Sequence, residues 1–189
     1  MKYNRIMMAT AVLFASESKC KRRQVGSVLA KDGRIRTTGY NGTIKNSKVN
    51  ACEREIIFCP KCKKELNKER FKPDGSGVSA QCLDCTTISK FTSMDELNSF
   101  VILKTNDNVV HAEENVIADA AKQGIPTAGT TIYVTTSPCM RCAKLIASAG
   151  ISRVIFKDRY SDDSSIGFLN IHGIEVYQYD GVKECLRLQ

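Results

Sequence analysis

The stretch TTIYVTTSPCMRCAKLIASAGISRVIF (130–156) decides how the chain folds. TTIYVTT (130–136) is rich in β-branched and aromatic residues and reads as a strand. Pro138 then opens a helix over 139–149, which Gly150 ends. RVIF (153–156) is the next strand. Alternation of strand, helix and strand belongs to a sheet layered with helices. Cys139 and Cys142 lie three residues apart in the first turn of that helix, so both reach one point beyond its N-terminus.

Working outward, IEVYQY (174–179) is a last strand, preceded by a helix over 162–171. VGSVLAKDGRIRTTGYNG (25–42) reads as a hairpin of strands 25–30 and 34–39 turned by Asp32-Gly33. Residues 4–18 form a helix with Ile6, Ala9, Val12, Leu13 and Ala15 on its apolar side. Residues 112–123 form another, stopped by Gly124. The pattern predicts an α/β fold, three-layer α/β/α, around a five-stranded mixed sheet. Residues 1–189 make one domain, and 53–108, charged and cysteine-bearing, are an insertion into it.

The composition is that of a soluble globular protein, 42% hydrophobic and 25% charged. No apolar run reaches the roughly 18 residues of a membrane span, so no membrane partner is expected. The start lacks a clean signal-peptide pattern, and the expected location is the cytoplasm, the host's if the chain is phage-encoded. Nine cysteines include three Cys-x-x-Cys pairs, which in a reducing compartment indicates metal. The formal charge of +8 suggests anionic partners. The excess belongs to the first 36 residues, with nine Lys/Arg against two acids, whereas 53–110 holds nine of each.

HAEEN (111–115) supplies the rest of the chemistry. His111 and Glu113 do not share a helix face, but at a helix start both can converge on one point. Helix N-termini also favour thiolates. One His and two Cys leave the fourth tetrahedral position of zinc open, the mark of a catalytic site. His111, Cys139 and Cys142 are the expected ligands and Glu113 the proton shuttle. His-x-Glu followed by Pro-Cys-x-x-Cys is the pattern of zinc nucleobase deaminases. A lone His-x-Glu or Cys-x-x-Cys would carry little weight; the ordered combination carries much more.

The chain resembles the deoxycytidylate (dCMP) deaminase family, phage and bacterial branch. The resemblance lies in SESKCKRRQVGSVL (16–29), TTGYNG (37–42), HAEENVI (111–117), TTIYVTTSPCMRCAKLIASAGI (130–151) and RVIFKDRY (153–160). It implies the cytidine deaminase-like fold and conversion of dCMP to dUMP, feeding thymidylate synthesis; dCTP enters as a further substrate through this chain's altered GYNG loop. It also implies substrate contacts from Asn41, Lys122 and Tyr160, with Arg23, beside Arg22, attracting phosphate. Each has a plainer reading: Asn41-Gly42 is a turn signal, Lys122 an exposed helix lysine, Tyr160 a packing residue, the arginines solvated surface. Family members are commonly homohexamers with dCTP and dTTP as effectors, and Mg2+ accompanies an allosteric nucleotide. Their effector loop reads G-Y-N-G-x-P-x-G; this chain reads GYNGTIKNS, without that Pro and the later Gly, which puts the effector site in doubt.

Cys59, Cys62, Cys82 and Cys85 have zinc-ribbon spacing and predict a structural four-thiolate zinc. Phage relatives carry a second, structural zinc, and Cys20 and Cys52 match its cysteine ligands. The six cysteines allow one zinc and two free thiols, or two zincs with Cys20 and Cys52 completed by other ligands. Cys185 reads as a free thiol and His172 as a surface or packing residue. Two rival functions remain. A polynucleotide-editing deaminase would grip nucleic acid through the ribbon, where 61–72 carry six Lys/Arg, but the insertion is near neutral overall. Without Trp, and with only seven Phe and six Tyr, the chain is also short of stacking platforms, so nucleic acid is not the expected partner. A non-catalytic binding protein would have no need of Glu113.

Overall fold

The computed structural model describes residues 3–44, 47–48, 51–59, 61–67, 72–73, 78–82, 84–160, 163–181 and 186–188. Cys185, Lys68 and Arg70 of the basic run, and positions 45–46 and 49–50 of the loop after Gly42 lie outside the described residues. The chain divides into two compact units, Met1–Cys52 with Asn108–Gln189, and Glu53–Asp107.

In the first unit the order is α1 (Asn4–Ser16), β1 (Gly26–Lys31), β2 (Arg34–Tyr40) and β3 (Gly42–Thr43). The second unit holds β4 (Glu53–Phe58), β5 (Glu65–Asn67), β6 (Lys72–Pro73), β7 (Val78–Gln81), β8 (Ile88–Phe91), α2 (Met94–Ser99) and β9 (Ile102–Thr105). The first then resumes with β10 (Val109–Val110), α3 (Ala112–Lys122), β11 (Thr131–Thr136), α4 (Met140–Ser148), β12 (Arg153–Asp158), α5 (Ser164–Ile171), β13 (Glu175–Gln178) and β14 (Leu186–Leu188).

The main sheet runs β14-β13-β12-β11-β1-β2. β11, β12 and β13 are parallel, joined by α4 and α5; β1, β2 and β14 pair antiparallel. The five expected strands are present, and the short β14 adds a sixth at one edge. The mixed sheet, with α1 on one face and α3, α4 and α5 on the other, is the expected three-layer α/β/α arrangement.

Alternation along the strands sorts side chains into two cores. Leu29, Ile132, Val134, Val154, Phe156 and Val176 face α3, α4 and α5. Val28, Ala30, Tyr133 and Ile155 face α1. The helix buries Met7, Met8, Ala11 and Ala15 and leaves Ile6, Val12 and Leu13 exposed, correcting the expected apolar face. The cause is Gly26: a Cβ there would meet the Ala11 carbonyl oxygen, so α1 lies directly on the β1 backbone and the small face turns inward.

In the Glu53–Asp107 unit, two Cys-x-x-Cys turns repeat one design. Each follows a strand, β4 or β7, and leads to the next, β5 or β8. The Cys59 N–H donates to the Lys64 carbonyl and the Cys82 N–H to the Thr87 carbonyl, at 2.8 and 2.9 Å. The residue after each second cysteine, Lys63 or Thr86, is left-handed, with φ of 59° and 56°.

Candidate metal centre and active site

β10 pairs with β3 and delivers the chain to His111. His111 is extended (φ −74°, ψ 158°) and caps α3; its N–H donates to Glu114 Oε2 at 2.8 Å in a capping box. The helix start is pinned to the hairpin by bonds from Ser27 Oγ to the Ala112 carbonyl (2.7 Å) and from Asn115 Nδ2 to the Tyr40 carbonyl (2.6 Å). Gly39 permits the approach, since a Cβ there would lie 3.0 Å from both Ala112 O and Val116 N.

The second half of the site follows β11. The Ser137 N–H donates to the Asp158 carbonyl (2.8 Å), which turns the chain off the sheet. Pro138 then precedes Cys139, which is the cap of α4, so the helix starts at Met140, one residue beyond expectation. His111 Nδ1 lies 3.6 Å from Cys139 Sγ and 3.3 Å from Cys142 Sγ. Tetrahedral zinc with ordinary Zn–N and Zn–S lengths would hold such donors about 3.5 Å apart. The donor set therefore fits zinc: one imidazole and two sulfurs on two helix N-termini.

The electrostatics concentrate negative charge on Cys139. Its hydrogen bond to Cys142, seconded by His111, holds the Cys139 thiol down to about 3. Cys142, across that bond and buried, is pushed up. The bond to Cys139 raises His111. Burial pushes the Glu113 carboxyl up to about 7, against smaller pulls from its own backbone N–H and from His111. Glu113 is only 4% exposed, and a carboxylate is not buried beside an imidazole and two thiols for stability.

Three of the four expected substrate-binding residues gather at the same end of the sheet. The Tyr160 N–H donates to Ser137 Oγ (2.7 Å), two residues before Cys139, and the Arg23 guanidinium lies 5.3 Å from the Tyr160 ring centroid. Asn41 Nδ2 donates to the Arg23 carbonyl (2.9 Å), while its Oδ1 accepts the Val25 N–H (2.8 Å). Asn41 thus braces the segment before β1 that carries Arg23. Lys122 is not brought to this group: it ends α3, whose 11 residues at about 1.5 Å each carry it roughly 15 Å from the metal-binding end. Sequence reasoning missed Ser137, Glu114 and Arg141, whose roles depend on contacts between distant segments.

A second donor cluster sits in the Glu53–Asp107 unit. The sulfurs of Cys59, Cys62, Cys82 and Cys85 all lie within 4.8 Å of one another, with 3.6 Å between Cys59 and Cys85 and 3.5 Å between Cys62 and Cys82. Zinc–thiolate tetrahedra have edges of about 3.7 Å. The Thr87 hydroxyl, 3.3 Å from Cys85 Sγ, leads in holding that thiol down to about 6.

Cys20 and Cys52 are bonded to each other as a disulfide, with their Cα atoms 5.2 Å apart. This corrects the expected second structural zinc at these residues. They pack with Val109, and no third metal donor joins them among the described residues. His172 is exposed, stacked near Phe168, as the surface reading expected.

Three metal-type donors at two helix starts, with a buried glutamate beside them, are the constellation of hydrolytic nucleobase deaminases. The family model for the cytidine and deoxycytidylate deaminase zinc-binding region matches residues 1–158. The deoxycytidylate deaminase of Enterobacteria phage T4 is 35% identical, over 90% of this chain and 86% of that protein. That of Mycobacterium phage D29 is 29% identical, over 82% and 93%. The crystal structure of dCMP deaminase from cyanophage S-TIM5, in complex with dCMP and dUMP, superposes with a TM-score of 0.65 at 27% identity, covering 94% of this chain and 97% of that one. The chain belongs to the cytidine and deoxycytidylate deaminase family.

Proposed function

We propose that this protein deaminates dCMP to dUMP, adding water and releasing ammonia. The observation that carries the reading is the buried Glu113 carboxyl beside the His111, Cys139 and Cys142 donors, in a chain whose phage relatives are deoxycytidylate deaminases. His111 and the two thiolates would hold zinc, which supplies the Lewis acidity that makes water a nucleophile near neutral pH. Glu113 takes the proton from that water, passes it to N3 of the cytosine ring and later assists the departing amine. A carboxyl pushed up to about 7 by burial suits a group that must both take and give a proton near that pH. Arg23, over the Tyr160 ring, offers its charge to the 5′-phosphate, and Asn41 holds the segment before β1 on which Arg23 lies.

The four-cysteine cluster would hold a second, structural zinc: all four tetrahedral positions are filled by thiolate, leaving none for substrate. Among the described residues no helix is long and apolar enough to cross a membrane. We place the enzyme in the cytoplasm, where its nucleotide substrate is found.

The test is product analysis by chromatography after incubation with dCMP, dCTP, deoxycytidine and a cytosine-containing oligonucleotide, with Glu113→Ala as control. Turnover of dCMP that disappears in the variant is the expected result. Equal use of dCTP would widen the substrate class to the triphosphate. Conversion of the oligonucleotide alone would overturn the reading in favour of polynucleotide editing.

A further inference from the structure

The three-donor site is assembled from two separate helix starts, and its geometry depends on how firmly α3 and α4 are held together there. One side chain spans the gap. Glu114 Oε2 accepts the His111 backbone N–H at 2.8 Å and also accepts from Arg141 Nη2 at 2.7 Å. Arg141 lies between Cys139 and Cys142. The chain of contacts therefore runs from the backbone of one metal-donor residue, through a carboxylate oxygen, to the turn bearing the other two donors.

We propose that Glu114 and Arg141 form a positioning pair that fixes His111 relative to Cys139 and Cys142; the inference rests on the reading of those three residues as a zinc site. Helix preferences explain only half of the pair. Glu114 is well placed at the start of α3, where it closes the capping box and faces the positive end of the helix dipole. Arg141 carries the wrong charge for the first turn of α4, beside the exposed N–H groups of that turn. The Glu114 carboxylate offsets this. It is itself largely covered, with its side chain 20% exposed, while the Arg141 side chain is 58% exposed. A capping box needs no arginine; the ion pair adds a link from helix to helix. Groups behind metal ligands commonly change metal retention or activity 10- to 100-fold when removed. This pair acts on a ligand's backbone and turn, so the lower end applies.

The test uses the full-length, zinc-loaded protein and compares wild type with Arg141→Ala, Arg141→Lys, Glu114→Gln and the double variant Glu114→Gln/Arg141→Ala. Zinc release into a chelating indicator is followed alongside kcat and KM for dCMP. Glu114→Gln keeps an acceptor for the His111 N–H but loses the charge that holds Arg141. Either single break should speed release from the three-donor site about 10-fold and lower kcat with KM little changed. The double variant should be no worse than the singles, because both cut one link. Arg141→Lys should restore most of the loss. Release from the four-cysteine site in the same trace should not move and serves as the internal standard. A higher KM for dCMP in Arg141→Ala with unchanged zinc release would overturn the proposal and make Arg141 a phosphate contact. Additive losses in the double variant, or no effect of either single change, would also overturn it. A wild type that deaminates none of the cytidine compounds would sink the proposed function, and the release rates would still decide the role of the pair.

Discussion

Gly26→Ala tests the account of how α1 meets the sheet. A Cβ at this position would sit 2.0 Å from the Ala11 carbonyl oxygen and 2.5 Å from the Ala15 nitrogen. Carbon and oxygen tolerate about 3.3 Å, so the helix must rise by roughly 1 Å or more. Both obstructing atoms are backbone, and no rotamer change relieves them. The lifted helix loosens Met7 and Met8 from Val28, Ala30, Tyr133 and Ile155. Two buried methionines contribute on the order of 5 kcal/mol, and a gap of 0.5–1 Å forfeits a quarter to a half of such contact, about 2 kcal/mol. Residual overpacking adds about 1 kcal/mol. The expected loss of about 3 kcal/mol would lower the urea midpoint by on the order of 1–2 M, read by circular dichroism. Adding Ala11→Gly should bring no recovery, because the clash is with the carbonyl rather than the methyl group. A Gly26→Ala protein within about 0.5 kcal/mol of wild type would refute the reasoning, since that is the ordinary range for an uncrowded surface change.

Four further outcomes follow from the site. Glu113→Gln keeps the volume of the side chain without its proton chemistry; dCMP turnover should fall about 10³-fold with zinc content unchanged, by kinetics and metal analysis. Arg23→Ala should raise KM for dCMP severalfold and leave deoxycytidine turnover unaltered, and equal effects on both substrates would deny Arg23 a phosphate role. Cys62→Ser should leave the protein one zinc short and open residues 53–107 to protease. Among the described residues there, the buried aliphatic side chains Ile56, Ile57, Leu66 and Leu97 are worth about 8 kcal/mol together, less than the roughly 10–16 kcal/mol of a structural zinc. In denaturant with chelator and no reductant, all but two of the nine cysteines should react with a thiol reagent; reaction of all nine would mean that Cys20 and Cys52 are not bonded.

The strand–helix–strand at 130–156 was legible because each element carries its own stop signal: Pro138 before the helix, Gly150 after it, β-branched runs on either side. The grouping of His111, Cys139 and Cys142 was legible because each sits at a helix start, where local sequence decides that the side chains point beyond the helix end. What escaped depends on tertiary contact. The α1 sequence offers two stripes, Ile6 with Leu13 and Met7 with Ala11 and Ala15, and the larger apolar residues belong to the wrong one. Only the absent Cβ of Gly26, on another element, selects between them. β14 is three residues long, and its pairing with β13 is not written in its periodicity. Arg141 is an ordinary helix residue until Glu114, 27 positions away, supplies the opposite charge.

How many donors converge is what separates the chemistry of the cysteines. At Cys59, Cys62, Cys82 and Cys85 four sulfurs meet, so a bound zinc is coordinatively closed and can stabilise a fold but not meet a substrate. At Cys139 and Cys142 the third donor is an imidazole, so a bound zinc would keep a fourth position beside a buried carboxyl. At Cys20 and Cys52 two sulfurs meet a valine, too few donors for a zinc site and close enough to bond to each other. The disulfide ties residue 20 to residue 52, and Ser18 Oγ, two residues before it, donates to the Asn41 carbonyl at 2.8 Å. The same segment carries Arg23, whose backbone carbonyl accepts from Asn41 Nδ2. The disulfide and the Ser18 bond thus anchor the segment before β1 from which the Arg23 guanidinium reaches the Tyr160 ring.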